Sequence, residues 1–166
     1  MAKALFLDRD GTINVEVHYL HNPEEFVFVP GIVELCRAAQ GAGYLIVVVT
    51  NQSGIARGYY TEADYEKLTQ HMAALFAAEG VQLTDVLHCP HLDSAHPDRK
   101  PNPGLFLKAK EKWGIDMAAS LSLGDKERDV TAGRNAGVGR NYLLAAPAPE
   151  TTAATAVVPT PADLIP

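Results

Sequence analysis

Cysteine is scarce in this chain of 166 residues, which has two, Cys36 and Cys89, and long apolar runs are missing. Two cysteines cannot build a disulfide framework, so we expect a reducing compartment and a cytoplasmic protein. No stretch approaches the roughly 20 apolar residues of a transmembrane helix. The N-terminal Met-Ala-Lys-Ala leads straight into an apolar strand and lacks the core of a secretory signal. We therefore expect no membrane partner.

Positive charge is also in short supply, because 14 Lys and Arg stand against 20 Asp and Glu, a formal net charge of −6. Nucleic-acid binding depends on cations that contact phosphates, so this balance argues against a nucleic-acid partner. A small anionic substrate remains compatible, since a few local cations can focus a positive field in a cleft. The length and the 47% hydrophobic content predict one folded domain over residues 1–166, which we expect to be a monomer.

Strand-like apolar runs alternate with helical periodicities along the chain. Strands are predicted at residues 5–7, 44–49, 86–87, 120–123 and 140–144. This alternation predicts an α/β fold, a Rossmann-like parallel sheet with helices on both faces. Only segments 13–30 and 92–102 could wall a site, so no large cap domain is expected. The tail from about residue 145 is rich in Ala, Pro and Thr and is expected to be loosely ordered, with a short strand at Val157-Val158.

The most informative stretch is Asp8-Arg9-Asp10-Gly11-Thr12, directly after the first strand. Residues i and i+2 of an extended segment point the same way, so Asp8 and Asp10 could face one site above the strand end. Buried carboxylates need a partner, and Mg²⁺ would neutralise them. One carboxylate could then act as a nucleophile while the other transfers protons. An ordinary Asp-Gly turn is the alternative.

Polar clusters follow two further strands, Thr50-Asn51 and Gly124-Asp125, and Arg99-Lys100-Pro101 comes soon after the third. The carboxyl ends of parallel strands meet at one edge of the sheet, where ligands bind, so these clusters should converge with Asp8.

Phosphoryl transfer needs a nucleophile, a cation, donors to the phosphate oxygens and a proton source. Asp8 could be the nucleophile, Asp10 the acid and base, and Asp125 could hold Mg²⁺ together with Asp8. The phosphate itself could be bound by the Thr50 hydroxyl, the backbone N–H of Asn51 and the Lys100 ammonium.

In order and in position, four segments resemble the motifs of the haloacid dehalogenase-like phosphatases: Asp8-Arg9-Asp10-Gly11-Thr12, Val49-Thr50-Asn51, Arg99-Lys100-Pro101 and Gly124-Asp125-Lys126-Glu127-Arg128-Asp129. The resemblance implies an aspartyl-phosphate on Asp8 and acid–base chemistry at Asp10, whose backbone carbonyl would also bind Mg²⁺. It further implies that Asp125 is a Mg²⁺ ligand and that Asp129 is a supporting carboxylate.

Within that superfamily, the loop from Thr50 to Gly58 and the segments Cys89-Pro90-His91 and Arg99-Lys100-Pro101-Asn102-Pro103-Gly104 resemble the bacterial D-glycero-D-manno-heptose 1,7-bisphosphate 7-phosphatases. The resemblance implies hydrolysis of the 7-phosphate of a phosphorylated sugar. Substrate contacts would come from Arg57 and Arg99, with Lys126 at the phosphate end.

Three other functions compete with this one. The histidinol-phosphate phosphatases share much of the pattern, so that substrate or another small phosphomonoester is an alternative. A phospho-accepting signalling module is another hypothesis, although such modules lack an acid–base group two residues after the phosphorylated Asp. A DNA 3′-phosphatase is disfavoured by the net charge and by the lack of a basic or aromatic track.

Members of the heptose bisphosphatase family often carry a zinc loop of the form Cys-x-His, then Cys-x-Cys directly before Arg-Lys-Pro. Here the first half is Cys89 and His91, but the second half reads His96-Pro97-Asp98. A structural Zn²⁺ held by Cys89, His91, His96 and Asp98 is chemically feasible, though a carboxylate suits a closed site less well than a thiolate. The alternative is a proline-stiffened loop without metal.

Overall fold

A six-stranded, fully parallel sheet forms the centre of the computed structural model, which describes residues 1–165. The strands are β1 (Lys3–Leu7), β2 (Tyr44–Asn51), β3 (Asp85–Cys89), β4 (Leu121–Gly124), β5 (Arg140–Leu144) and β6 (Ala156–Val158). Their order across the sheet is β3-β2-β1-β4-β5-β6. β1 therefore lies in the middle, between β2 and β4, and the predicted parallel α/β architecture is confirmed.

Within residues 1–165, four α-helices cover the two faces of the sheet, as predicted. They are α1 (Ile32–Gly41), α2 (Glu62–Ala78), α3 (Gly104–Trp113) and α4 (Glu127–Asn135). Because side chains alternate along a strand, Leu5 and Leu7 of β1 pack with α1 and α2 on one face. Ala4 and Phe6 pack with α3 and α4 on the other. Both faces of β1 are thus buried, which explains its uninterrupted apolar sequence.

The longest helix, α2, begins at a capping box that fixes its first turn. The Thr61 hydroxyl accepts a hydrogen bond from the Asp64 backbone N–H at 3.1 Å, and the Asp64 carboxylate accepts one from the Thr61 N–H at 2.9 Å. Hydrogen bonding from Thr61 to the Asp64 carboxylate lowers the pKa of Asp64. The helix then buries Leu68, Met72 and Phe76 against the sheet.

The tail after β5 adds to the sheet. Residues 156–158 form β6 beside β5, so the short strand expected at Val157-Val158 is present. A 3₁₀ helix, Pro161–Leu164, then lies against α1. The Glu127 carboxylate joins the intervening segment to α4, because it accepts hydrogen bonds from the Thr152 hydroxyl at 2.8 Å and from the Ala153 N–H at 2.6 Å.

The carboxyl edge of the sheet is bordered by loops. Within residues 1–165, no inserted domain covers this edge, as expected from the length of segments 13–30 and 92–102. In the same part of the chain, no helix combines the length and the apolar character needed to cross a bilayer.

Candidate active site

A cavity of about 310 Å³ opens at the carboxyl edge of the sheet, above the central strands. Asp8, Thr50 and Asp125 come directly after or at the ends of β1, β2 and β4, which are neighbours in the sheet. The backbone N–H of Asp8 still bonds to the Leu123 carbonyl at 3.2 Å, so the sheet fixes its position. Predicted residues that line the cavity are Asp8, Asp10, Thr50, Asn51, Arg57, Arg99 and Lys126.

Lys100 lies beneath Asp8 and is almost completely buried, with 1% of its side chain exposed. Its ammonium is 2.9 Å from an oxygen of Asp8, 2.7 Å from one of Asp129 and 2.7 Å from the Val49 carbonyl. Burial alone would lower the pKa of Lys100, but the charges of Asp129 and Asp8 reverse this and raise it. The lysine therefore stays charged and holds the Asp8 carboxylate from below. The sequence predicts that this ammonium binds the phosphate, whereas the contacts described here are to Asp8, Asp129 and the Val49 carbonyl.

Asp125 joins the two carboxylates that contact this lysine in a cluster of three. One oxygen from each of Asp8, Asp125 and Asp129 lies within 4.8 Å of the others, the only group of three or more potential metal ligands among residues 1–165. Burial and the charge of Asp129 raise the pKa of Asp8 well above its usual value, although Lys100 opposes this. Burial also raises the pKa of Asp125. One ammonium cannot balance the charge of three carboxylates. A divalent cation that prefers oxygen ligands would supply the missing positive charge.

The side chain of Asp10 is not part of this cluster, and the metal ligand predicted at Asp10 is its backbone carbonyl. Instead its carboxylate accepts hydrogen bonds from Arg9 Nη2 at 3.1 Å, Asn14 Nδ2 at 3.1 Å and Gln52 Nε2 at 3.0 Å. Any part that Asp10 takes in metal binding would therefore come from its backbone carbonyl, as the family resemblance implies. Asp129, expected only in support, contributes its carboxylate to the cluster.

The residues after Asp10 shape the approach to Asp125. Gly11 has a φ of +86°, and a Cβ at this position would collide with the Asp125 carboxylate. The Thr12 hydroxyl lies 3.4 Å from Asp125 Oδ1. The Asp-Gly-Thr sequence thus lets the chain turn sharply while a second carboxylate comes close.

Asn51 joins two of the predicted segments through its side chain. Its Oδ1 accepts a hydrogen bond from the Lys100 N–H at 3.0 Å, and its Nδ2 donates to the Lys100 carbonyl at 3.1 Å. This pair of bonds fixes the backbone around Lys100 against the end of β2. The side chain of Asn51 therefore has a structural role. The prediction that Asn51 binds phosphate concerns its backbone N–H, which these two bonds do not use.

Four cations line the cavity: Arg57, Arg99, Lys126 and Arg128. The first three were predicted, whereas Arg128 was missed because it lies inside the motif that supplies Asp125 and Asp129. The Arg57 guanidinium lies 6.0 Å from the centre of the Tyr19 ring, and Tyr19 and His18 also line the cavity. His18 and Tyr19 have φ values of 52° and 54°, which a sequence pattern does not reveal.

Sequence reasoning also missed Arg9, whose exposure is 0%, and the role of Gln52, which is 2% exposed. Arg9 Nη2 donates to Gln52 Oε1 at 3.1 Å and to the Leu20 carbonyl at 3.1 Å, besides contacting Asp10. The available signal was an arginine between two aspartates of one motif. A buried guanidinium needs a carboxylate partner, and Asp10 is that partner here.

The structure does not support the zinc site predicted at Cys89, His91, His96 and Asp98. No three of these residues bring ligand atoms within 4.8 Å of one another in the described chain. The rings of His91 and His96 stack with centroids 4.0 Å apart, and His96 Nδ1 accepts the Asp98 N–H at 3.1 Å. The Asp98 carboxylate is paired with Lys108. His96 Nδ1 and the Asp98 carboxylate are therefore engaged by other partners.

Together, the parallel sheet, the buried carboxylate cluster at the end of its central strand and the cationic cavity above define a haloacid dehalogenase-like phosphatase, a phosphoric monoester hydrolase. Comparison with known families agrees with this class. The chain belongs to the haloacid dehalogenase-like superfamily and, within it, to the polynucleotide kinase 3 phosphatase family, whose model matches residues 3–142.

The chain is also similar to curated proteins over most of its length. It is 46% identical to the D-glycero-alpha-D-manno-heptose-1,7-bisphosphate 7-phosphatase of Burkholderia mallei, with 99% of this chain and 92% of that protein covered. It is 45% identical to the D-glycero-beta-D-manno-heptose-1,7-bisphosphate 7-phosphatase of Vibrio cholerae, covering 87% and 82%.

A solved structure gives the same picture. The D,D-heptose 1,7-bisphosphate phosphatase from B. bronchiseptica, complexed with magnesium and phosphate, superposes with a TM-score of 0.84 at 28% identity. The match covers 96% of this chain and 94% of that one.

Proposed function

We propose that this protein hydrolyses the 7-phosphate of D-glycero-D-manno-heptose 1,7-bisphosphate through an aspartyl-phosphate on Asp8. The observation that carries the proposal is the position of Asp8, directly after the central strand, in a cavity that four cations also line. The names of the most similar relatives support the substrate. A cytoplasmic monomer that binds neither nucleic acid nor membrane is part of the same proposal.

Lys100 prepares Asp8 for nucleophilic attack. The ammonium binds Asp8 Oδ1, which leaves the other carboxylate oxygen to attack phosphorus. Asp10 gives its proton to the sugar oxygen as the bond between that oxygen and phosphorus breaks. Asp10 then accepts a proton from the water that attacks the aspartyl-phosphate, and this second step releases inorganic phosphate and restores the Asp8 carboxylate.

Asp8 and Asp125, supported by Asp129 and the backbone carbonyl of Asp10, would hold Mg²⁺, which supplies positive charge against the oxygens of the transferring phosphoryl group. The Thr50 hydroxyl and the Asn51 N–H would donate hydrogen bonds to those oxygens. The solved relative that is complexed with magnesium and phosphate supports this choice of ion.

The rim cations favour a substrate with a second phosphate. Arg57, Arg99, Lys126 and Arg128 lie around the mouth of the cavity in a protein whose net charge is −6. A bisphosphate carries more negative charge for these four cations to balance than histidinol phosphate does, which favours the bisphosphate. The matching family is named after a polynucleotide phosphatase. The net charge of −6 of this chain nevertheless disfavours a nucleic-acid substrate.

A substrate panel tests the proposal. With Mg²⁺ present, we expect the highest kcat/KM for one anomer of the heptose 1,7-bisphosphate, compared with the other anomer, fructose 1,6-bisphosphate, histidinol phosphate and a 3′-phosphorylated oligonucleotide. Asp8→Asn should abolish turnover, because an amide is no nucleophile, and Arg57→Ala should raise KM more for bisphosphates than for monophosphates. A higher kcat/KM for histidinol phosphate or the oligonucleotide, or release of only one phosphate per chain, would contradict the proposal.

A further inference from the structure

Gln52 connects the proton-transferring carboxylate to the phosphate-binding hydroxyl. Its Nε2 donates hydrogen bonds to Asp10 Oδ2 at 3.0 Å and to Thr50 Oγ1 at 2.9 Å. On its other side, Gln52 Oε1 accepts from Arg9 Nη2 at 3.1 Å and from the Tyr60 hydroxyl. The side chain therefore uses both hydrogens of its amide and two acceptor positions of its oxygen within a site that leaves it 2% exposed.

The buried arginine fixes which way this amide faces. A guanidinium has donors and no acceptor, so the group 3.1 Å from Arg9 Nη2 must be the oxygen of Gln52. The amide nitrogen must then face Asp10 and Thr50. Rotating the amide by half a turn would set its N–H groups against the arginine and its oxygen against the Asp10 carboxylate. Both new contacts would be repulsive, so the orientation is well determined.

This orientation decides what Thr50 and Asp10 can do. Because the Thr50 oxygen accepts from Gln52, its own hydrogen is free to be donated, and its internal acceptor, the Asn51 carbonyl, lies 3.4 Å away. A phosphate oxygen in the cavity would be a better partner. On Asp10, Oδ2 is shared by Arg9 and Gln52, while Oδ1 accepts from Asn14, so the plane of the carboxylate is held from three directions.

We propose that Gln52 is a positioning residue, which orients the Asp10 carboxylate toward the leaving oxygen and directs the Thr50 hydroxyl toward the phosphate. The inference rests on the proposed function, because it assumes that Asp10 protonates the leaving group. Gln52 itself neither gives nor takes a proton. Its effect on the rate should therefore depend on how much the leaving group needs Asp10.

Leaving-group dependence tests this role. The Gln52→Met variant keeps the side-chain length and removes its hydrogen bonds. We expect kcat/KM for a sugar bisphosphate to fall by about 10-fold to 100-fold, at or below the lower end of the roughly 10²–10⁴-fold contributed by general acid–base catalysis, because Asp10 itself is still present. For p-nitrophenyl phosphate, whose leaving group departs without a proton, the loss should be several times smaller. The exposed Gln70→Met variant on α2 is the matched control and should behave like wild type.

Asp10→Asn, assayed on both substrates, separates the two levels of the proposal. If Asp10→Asn loses activity selectively on the sugar phosphate and Gln52→Met does not, the positioning role is wrong while the proposed function stands. If Asp10→Asn shows no selective loss, the acid–base assignment fails and the role of Gln52 fails with it. Equal losses of Gln52→Met on the two substrates would show that its effect does not pass through Asp10 and would overturn the inference.

A second variant covers the case in which Gln52→Met does not fold, as judged by thermal unfolding. Gln52→Glu retains an oxygen for Arg9 and Tyr60 but sets a second oxygen against Asp10 Oδ2. We expect the same selective loss on the sugar phosphate, larger than that of Gln52→Met where both fold. A folded Gln52→Glu protein with the wild-type ratio of activities on the two substrates would overturn the inference.

Discussion

Lys100 and Lys112 offer a matched pair for measuring what burial does to an ion pair. Each ammonium lies 2.9 Å from an aspartate oxygen, but the Lys100 side chain is 1% exposed and the Lys112 side chain is 57% exposed. Lys100→Met leaves Asp8 and Asp129 buried without the ammonium between them. Removing one partner of a buried pair typically costs about 3–5 kcal/mol, whereas an exposed pair contributes about 0–1 kcal/mol.

These free energies predict clearly different melting temperatures. A change of 1 kcal/mol shifts Tm by about 2–4 °C in a chain of this size, so Lys100→Met should lower Tm by about 6–20 °C. Lys112→Met should lower it by at most about 4 °C. Thermal unfolding at neutral pH, in a chelator and then with excess Mg²⁺, is the measurement. Mg²⁺ should stabilise Lys100→Met more than wild type, because a bound cation offsets charge that the lysine no longer balances.

A second substitution tests the cause. Asp129→Asn added to Lys100→Met should recover part of the lost stability, since it removes one of the uncompensated carboxylates. If Lys100→Met is destabilised no more than Lys112→Met, the carboxylates do not depend on the lysine and the reasoning about this cluster is refuted.

Two further predictions concern stability away from the cavity. Burial raises the pKa of Asp85, but hydrogen bonds from Trp113 and Lys112 outweigh it, so the pKa is lowered. The ionised group therefore stabilises the fold above its unfolded pKa of about 3.9, and this is lost as pH falls through the lower folded value. In urea unfolding, the stability difference between wild type and Asp85→Asn should shrink between about pH 7 and about pH 3; a constant difference would contradict this. Val158→Ala in β6 should cost about 1.5 kcal/mol for two buried methyl-sized groups. The 59% exposed Val27→Ala is its control, and equal urea midpoints for the two variants would argue against packing by β6.

The strands, the helices and the edge that carries the site could be predicted because their signals are local. Asp8-Arg9-Asp10 follows an apolar run directly, and Thr50 and Asp125 follow two more. The carboxyl ends of parallel strands lie at the same edge of a sheet, so the pattern predicts that these polar residues share one site there.

What the sequence did not reveal depends on contacts between distant residues. Gln52 is 43 residues from Arg9, and nothing near it in the chain indicates which way its amide faces. Lys100 could be predicted as a cation of the site, but its burial under Asp8 depends on how the loop after β3 folds back. The possible zinc site, weighed against a metal-free loop, is not supported for a related reason. Its residue types are compatible with zinc, but the folded loop stacks His91 on His96 and does not bring the ligand atoms together.

The two edges of the sheet have a consequence for the protein at high concentration. An open edge strand presents unpaired backbone groups that can template addition of another chain. On one side, β3 carries Asp85 and His88, each engaged with a charged neighbour, and on the other side β6 is only three residues long. The charged side chains on one edge strand and the short length of the other both disfavour edge-to-edge aggregation. The protein should therefore stay free of intermolecular sheets at high concentration.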